Sequence, residues 1–414
     1  MEHVRDSHPH ELFVHIGPHK TGTTSIQEAL HRARRELRAF GIAYLHDEGR
    51  VNLNVGTSEL IRLVRAGKIA ATGTRAPRRM AAVLRSANQD RMVISAEHLS
   101  SLRDDELAAF ANALLQSKPT HRVRVIITLR RIDKMIPSLW QQSVRGRVMP
   151  SLGEWTKEIL TDPNHKDAFR VDHIGLISRW AGHFGASAVT VIVADDEKPR
   201  GLYDAFERTL GLPSGTLVEG RIANRSLNFQ QAELIRAAHR QMLAAGMMQP
   251  AVLRESSGHE EDHDDEVDDR ELRYDVDSLR WPYMRISREM CRTRSSIPGD
   301  PIVLPREFFA IAVRRAEETI KYIKEIGVVT IGELDALRPK EDPRVTRVES
   351  QVVCVTPEQA AELVVSALHA VGVSGAKVDS RYLEKVSTAK LFRLLVKRAL
   401  PWSARAKIAD RGPR

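Results

Sequence analysis

Five short apolar runs divide the first half of the chain, and apolar side chains with helical spacing fill the intervals between them. The runs are rich in Val, Ile and Leu, which predicts strands over 12–16, 42–45, 92–96, 123–129 and 188–194. The helical spacing predicts helices over 23–40, 76–89, 104–116 and 172–184. Strands that alternate with helices predict an α/β fold of three layers, with a mostly parallel central sheet between two layers of helices.

Two further helices are predicted after the last of these strands. Residues 204–212 indicate a short amphipathic helix that ends at Gly211, and residues 305–326 a long one that closes the main domain. Between them, twelve Asp and Glu residues crowd 255–277. Such a run predicts a solvated, disordered insertion over about 251–300; a metal site at His259 and His263 and an acidic flap over a basic cleft are the alternatives.

A linker is indicated by Arg338-Pro-Lys-Glu-Asp-Pro343, so we expect a main domain over 10–335 and a C-terminal extension over 336–414. The extension is predicted to be helical, over 356–371 and 384–400. The second of these helices is basic and amphipathic. That pattern favours packing on the main domain or on a second subunit over peripheral contact with a membrane surface. The sequence leaves the oligomeric state open.

Composition narrows the classes of function. The chain has 414 residues, a formal net charge of +9, and 42% hydrophobic residues, which is enough for a proper core. Its apolar runs are too short for a transmembrane segment, and Cys291 and Cys354 are its only cysteines, so a reducing cytoplasm is the simplest location. The positive charge suits an anionic ligand. Aromatics make up only 5% and no zinc-ligand spacing is present, which argues against a nucleic-acid partner.

The loop after the first apolar run has the composition of a phosphate-binding loop. It reads Gly17-Pro-His-Lys-Thr-Gly-Thr-Thr-Ser25, between a predicted strand and a predicted helix. Gly17 and Gly22 let the backbone approach a ligand closely, Thr23 or Thr24 can cap the helix, and the N–H groups of its first turn would point at an anion. The helix has its apolar residues on one face: Ile26, Ala29, Leu30, Ala33, Leu37 and Phe40. The alternative is a tight strand–helix turn with an exposed Lys20.

A second anion-binding segment follows the fourth predicted strand. Arg130 comes directly after the apolar run 123–129, and Ser138 lies eight residues further on. We expect a loop between them that turns into a helix, with Pro137 early in a turn or helix. A guanidinium and a hydroxyl placed together can bind a second phosphate through charge and hydrogen bonding.

Together these two segments resemble the motifs of sulfotransferases that use 3′-phosphoadenosine 5′-phosphosulfate (PAPS), in particular a bacterial branch akin to carbohydrate sulfotransferases. The resemblance covers roughly residues 10–245 and implies a P-loop-like fold. It implies that Lys20 and the Thr21–Ser25 segment hold the 5′-phosphosulfate and that Arg130 and Ser138 hold the 3′-phosphate. Arg221 would reach either the 3′-phosphate or the acceptor. The residues expected at the cofactor are Gly17, His19, Lys20, Thr21, Gly22, Thr23, Thr24, Ser25, Arg130, Ser138 and Arg221.

Transfer of a sulfuryl group to a hydroxyl also needs a proton acceptor. The run Met92–Ser95 ends in Ala96-Glu97-His98, and a Glu near this place commonly takes the proton in the carbohydrate-directed branch. The candidates are therefore Glu97 first and His98 second, with Lys20 at the bridging oxygen. Helix or loop capping is the alternative role of Glu97. His19 is expected to line the site, and His15 to be half-buried filling within its strand.

The resemblance implies an in-line transfer, by positioning and charge, to a hydroxyl or amine of a small-molecule or glycan acceptor, with no metal expected. Two other readings stay open at the level of sequence. One is a P-loop kinase or NTPase, against which Lys20 is misplaced, because a Walker A lysine follows the second glycine directly. The other is a non-catalytic nucleotide-binding protein on the same fold. The identity of the acceptor is beyond the sequence.

Overall fold

The structure is a computed structural model that describes residues 10–45, 90–117, 120–145, 149–220, 226–244 and 299–342, and the single positions 360 and 363. The predicted helix 76–89, the acidic insertion and the helices of the C-terminal extension fall outside these ranges. The chain divides into two compact units, the first made of 1–139, 153–221 and 304–342, and the second of 140–152, 222–303 and 343–414. The domain boundaries drawn from the sequence stay a prediction. In the described residues, no helix is both long and apolar enough to cross a membrane.

The described strands and helices alternate along the chain, as the apolar pattern predicts. The strands are β1 (Glu11–Ile16), β2 (Ile42–Tyr44), β3 (Arg91–Ser95), β4 (Arg122–Leu129), β5 (Val189–Val193) and β6 (Val329–Ile331). The α-helices are α1 (Thr23–Arg32), α2 (Arg34–Ala39), α3 (Asp104–Ser117), α4 (Ile132–Val144), α5 (Leu152–Thr161), α6 (His173–Phe184), α7 (Pro199–Leu210), α8 (Phe229–Ala244) and α9 (Phe309–Ile326).

The six strands form one sheet in the order β2-β3-β1-β4-β5-β6, and every neighbouring pair is parallel. β1 lies in the middle, with His15 opposite Ser95 of β3 and Ile126 of β4. The chain leaves β1 toward one edge and later crosses to β4 on the other side of β1. Ligands bind parallel sheets at the carboxyl ends of strands where the order reverses in this way. Here that position is where the carboxyl ends of β1 and β4 lie side by side.

Alternate side chains of the strands face two separate cores, which makes the fold a three-layer α/β arrangement. On one face, residues such as Val14 and Ile127 pack against α3, α6 and α9. On the other, Phe13, Ile126 and Ile192 pack against α1, α2 and α7. A parallel sheet buried on both faces explains why its strands are continuous apolar runs. The α/β fold with a mostly parallel sheet is therefore confirmed.

The structure corrects the element predictions in three places. The helix predicted over 23–40 is two helices separated at Ala33, and Phe40 lies beyond the second one with 40% of its surface exposed, so it is not part of the buried face. The helix predicted over 204–212 begins earlier, at Pro199, whose fixed φ suits a first helical position. The long helix α9 does not close the unit, because β6 follows it and pairs with β5.

The second compact unit contains α8, whose start is fixed by paired side chains. Asn228 Oδ1 accepts the backbone N–H of Gln231 at 2.8 Å, and Gln231 Oε1 accepts that of Asn228 at 3.0 Å. This reciprocal pair satisfies N–H groups that a helix start leaves without partners. Trp140 stacks on Phe229 with ring centroids 6.3 Å apart, and its indole N–H donates to the carbonyl of Pro150 at 3.1 Å.

Candidate functional site

The loop between β1 and α1 lies at the carboxyl ends of the central strands, which is where ligands bind parallel sheets of this strand order. Two of its residues have a left-handed backbone, Lys20 with φ 76° and Gly22 with φ 93°. Gly22 is the N-cap of α1 and has no side chain with which to cap it, so neither Thr23 nor Thr24 occupies the capping position. The prediction that Thr23 or Thr24 caps the helix is therefore wrong. The N–H groups in the first turn of a helix lack partners within the helix, so this end of α1 suits an anion.

The interior of the loop is packed with hydroxyl groups. The side chains of Thr21 and Thr23 are buried, whereas Thr24 and Ser25 are exposed. Thr21 Oγ1 donates to the carbonyl of Pro18 at 2.9 Å and lies 3.1 Å from Thr128 Oγ1 of β4. The hydroxyls of Thr21 and Thr23 therefore point into the protein. These two residues can bind a ligand through their backbone N–H groups.

Gly17 is required by this packing. A Cβ at Gly17 would lie 2.2 Å from Thr128 Oγ1 and 2.6 Å from Thr21 Oγ1, closer than a real Cβ can approach. The sequence suggested that Gly17 lets the backbone approach a ligand. In the structure, the close approach at Gly17 is to the protein's own threonine hydroxyls.

Lys20 and Arg130 come together as the two motifs predicted. Arg130, directly after β4, donates through Nη1 to the carbonyl of Lys20 at 3.0 Å. Its Nη2 lies 2.5 Å from Oδ1 of Asp196, which follows β5. Arg130 therefore links the carboxyl ends of three neighbouring strands. It also holds the peptide of Lys20, which a left-handed φ would otherwise destabilise by about 1–2 kcal/mol.

Glu97 lies beside the loop, at the carboxyl end of β3. It is the first residue of a short 3₁₀ helix, Glu97–Ser101, and its Oε2 is 3.0 Å from Nδ1 of His19. Both side chains are mostly buried, 17% and 10% exposed. The structure thus joins Glu97 to the loop through His19, a contact that the sequence did not predict. The side chain of His98 falls outside the described residues.

Ser138 and Arg221 complete the predicted set. Ser138 is half-buried in the second turn of α4. That helix begins at Ile132, two residues after Arg130, so the predicted loop between Arg130 and Ser138 is short, and Pro137 lies inside the helix. Arg221 falls outside the described residues, and its predicted role stays a prediction.

His15 differs from its predicted role as half-buried filling. Its imidazole is fully buried, with Nδ1 2.7 Å from Ser95 Oγ and Nε2 3.4 Å from Thr128 Oγ1. The ring also meets Phe206 of α7 edge-on, with centroids 4.6 Å apart. Burial lowers the pKa of His15 to about 3, and the nearby charge of Glu97 opposes this shift only in part. The imidazole is therefore neutral near pH 7.

Four residues around the loop were missed by the sequence reasoning: Ser95, Thr128, Asp196 and Tyr203. Tyr203 of α7 hydrogen-bonds Ser25, and burial is the largest cause that raises its pKa. A signal for the first two was present, since Ser95 and Thr128 are polar residues near the carboxyl ends of otherwise apolar strands. Asp196 had a similar signal, because it lies two residues after the predicted strand 188–194, whereas no comparable signal marked Tyr203.

Charges of both signs meet at this end of the sheet. Lys20, Arg130 and the N-terminus of α1 supply positive potential, Asp196 is ion-paired with Arg130, and Glu97 supplies a carboxylate on the β3 side. Within the described ranges, no three His, Cys, Asp or Glu side chains are grouped so that they would hold a metal ion. Comparisons of the chain with protein-family models, with curated proteins and with solved structures give no match.

Proposed function

We propose that the chain is a PAPS-dependent sulfotransferase with a P-loop-like anion site. The observation that carries the proposal is the hydrogen bond from Arg130 to the carbonyl of Lys20. It joins two motifs that lie 110 residues apart in the sequence and that both suit phosphate groups. Each motif also follows directly on the carboxyl end of a central parallel strand, where ligands of such sheets bind.

In the proposed reaction, the acceptor oxygen or nitrogen attacks sulfur, and the bond from sulfur to the bridging oxygen of the 5′-phosphate breaks. The electron pair of that bond stays with 3′-phosphoadenosine 5′-phosphate, the leaving group. Lys20 and the N–H groups at the start of α1 stabilise the charge that develops there. Positioning and charge stabilisation supply most of the rate in transfers of this kind.

Glu97 takes the proton of the acceptor in this proposal. The carboxylate lies on the β3 side of the loop, and His19 contacts one of its oxygens at 3.0 Å. A contact of this kind fixes the orientation of the carboxylate, as a general base requires. The acceptor is proposed to be a hydroxyl or amine, with carbohydrates and glycoconjugates as the first class to screen.

The test is a calorimetric titration of wild type, Lys20→Ala, Arg130→Ala and Ser138→Ala with 3′-phosphoadenosine 5′-phosphate and, in parallel, with 5′-AMP. The comparison of ligands is needed because Arg130 also holds the loop. If Arg130 binds the 3′-phosphate, Arg130→Ala loses about 10–100-fold in affinity for the bisphosphate and little for 5′-AMP. If Arg130 only supports the loop, affinity for both ligands falls equally.

Metal-free binding of the bisphosphate by the wild type, followed by sulfate transfer from radiolabelled PAPS to an acceptor, is the expected result. Preference for Mg·ATP with no effect of the 3′-phosphate would overturn the proposal in favour of a kinase or NTPase. Tight binding of the bisphosphate without transfer to any acceptor would favour a non-catalytic nucleotide-binding protein.

A further inference from the structure

Three polar side chains lie side by side within the apolar face of the sheet that packs on α1 and α7. His15, Ser95 and Thr128 come from β1, β3 and β4, and each is at most 4% exposed. Buried polar groups cost free energy unless they are hydrogen-bonded, so a row of three calls for a structural reason. The imidazole is the centre of the row, with one nitrogen near each hydroxyl.

The row of polar side chains continues into the loop between β1 and α1, residues 17–22, which is called the anion-binding loop below. Thr128 Oγ1 lies 3.1 Å from Thr21 Oγ1, and Thr21 Oγ1 donates to the carbonyl of Pro18 at 2.9 Å. Thr128 Oγ1 is also the atom that a Cβ on Gly17 would strike first. The floor of the loop therefore rests on the Thr128 hydroxyl, and that hydroxyl contacts His15.

The number of available protons limits the directions of these hydrogen bonds. Thr21 gives its hydroxyl proton to Pro18, so Thr21 Oγ1 faces Thr128 as an acceptor. Thr128 has one hydroxyl proton, and both Thr21 Oγ1 and the carbonyl of Ile16 at 3.5 Å are acceptors for it. In the arrangement in which Thr128 donates to one of these two acceptors, its oxygen accepts from His15, which places a proton on Nε2 and makes Nδ1 the acceptor of the Ser95 hydroxyl.

We propose that the chain of hydrogen bonds from Ser95 through His15, Thr128 and Thr21 to Pro18 positions the anion-binding loop, with His15 held as the Nε2–H tautomer. His15 and Thr128 act here as positioning residues, since neither is proposed to touch the ligand. The inference rests on the proposed function in one respect, which is that the loop binds an anion.

Charge and packing around His15 agree with a neutral imidazole in this role. Burial disfavours the imidazolium, and the ring of Phe206 packs edge-on against the imidazole of His15. A second proton on Nδ1 would face the Ser95 hydroxyl and reverse that hydrogen bond. Gln27 of α1 donates to the carbonyl of Ser95 at 3.1 Å, so the same residue also ties β3 to the first helix.

The first test is the tautomer of His15 in the ligand-free protein at pH 7, read from a long-range ¹H–¹⁵N NMR spectrum of histidine-labelled chain. The expected signature is a protonated Nε2 and an unprotonated, hydrogen-bond-accepting Nδ1. A protonated Nδ1, alone or together with Nε2, would overturn the proposal. Assignment uses His15→Gln, which removes the signal.

The second test compares Thr128→Val with Thr128→Ser, and uses Thr190→Val as the matched control on the neighbouring strand β5. Removal of the hydroxyl leaves the Nε2–H without an acceptor, so the backbone amides of residues 17 and 19–22 should exchange with solvent about tenfold faster or more in Thr128→Val. Affinity for 3′-phosphoadenosine 5′-phosphate should fall about tenfold. Thr128→Ser should stay within about twofold of wild type in both measurements, because it keeps the hydroxyl.

The two proposals fail in different ways. Faster exchange in Thr128→Val with no anion bound by the wild type would support the hydrogen-bond chain and overturn the proposed function. If Thr128→Val keeps the amide exchange rates and the ligand affinity of the wild type, the proposed chain of hydrogen bonds is overturned and the anion site stands.

Discussion

Lys20 combines a proposed catalytic charge with a backbone conformation that a lysine disfavours. Among the described residues it alone has a positive φ without being glycine. Strain of this kind is concentrated at functional sites, where the surrounding structure holds it. The peptide is held here by the hydrogen bond from Arg130 to its carbonyl. Stability and function therefore make opposite demands on this one residue.

Two variants separate these demands. Lys20→Gly should raise the free energy of unfolding by about 0.5–1 kcal/mol, because glycine adopts a left-handed φ without strain and the gain exceeds the added freedom of the unfolded chain. Lys20→Ala keeps the strain and should show no such gain. Both should lose sulfate transfer, since both lack the ammonium group. Urea unfolding measures the first effect; equal stability of the two variants would contradict it.

Glu97 can be tested as the proton acceptor independently of ligand binding. Glu97→Gln keeps the shape of the side chain but cannot take up the proton, so the turnover rate should fall about 10²–10⁴-fold. Affinity for 3′-phosphoadenosine 5′-phosphate should change by no more than about twofold, because Glu97 is not proposed to contact the phosphates. Single-turnover transfer and calorimetry measure the two quantities. Full activity of Glu97→Gln would move the base to another residue.

At the scale of elements, β4 and the loop between β1 and α1 are packed closely against each other at Gly17. Gly17→Ala should lower the free energy of unfolding by about 1–3 kcal/mol, since the new methyl group would overlap the hydroxyls of Thr128 and Thr21. Gly182→Ala is the matched control, because a Cβ at that helical position has nothing within 4 Å. It should stabilise α6 slightly. Equal effects of the two substitutions on the free energy of unfolding would show that the loop can shift to accommodate the methyl group.

Periodicity was enough to predict most elements, because a buried parallel sheet needs apolar runs and its helices need apolar faces. It predicted β1 to β5 with an error of at most one residue at each end. It missed β6, a strand of three residues after α9 whose pattern is too short to stand out. It also ran α1 and α2 together, because the apolar spacing continues across the break at Ala33.

The site was predicted unevenly for a physical reason. Lys20, Arg130 and Glu97 lie within four residues of the carboxyl ends of β1, β4 and β3, and these ends lie together, so the proximity of the three residues follows from local sequence. Contacts that depend on strand register do not. The pairing of His15 with Ser95 and the approach of Thr128 to Gly17 need the order and the alignment of β3, β1 and β4, which no single segment encodes.

For the whole molecule, two buried histidines link stability to pH. Burial lowers the pKa of His15 to about 3 and, with Asp172 opposing and Arg315 assisting, that of His173 to about 4. The unfolded chain takes up these protons near pH 6.5, well before the folded chain does. The stabilisation is therefore complete above about pH 6.5 and decreases as the pH falls toward the folded-state values.

Each histidine should contribute a slope of about 1.4 kcal/mol per pH unit below pH 6. His173→Leu should remove one of the two contributions, and His183→Leu, an exposed position on the same helix, is the control for loss of an imidazole. Urea unfolding at pH 7, 6 and 5 gives the slope for each protein. An unchanged slope in His173→Leu would contradict the assignment.

The central place of β1 in the sheet has a consequence for the order in which the nascent chain can fold. β1 is synthesised first, yet the partners of His15 on its two sides lie 80 and 113 residues further along the chain. Contacts this distant in sequence form slowly and leave apolar segments exposed meanwhile. The ribosome must therefore release the chain beyond Leu129 before β1 can be enclosed. Until then the apolar strand β1 stays exposed. In this state the chain is expected to bind chaperones during synthesis and to aggregate during refolding.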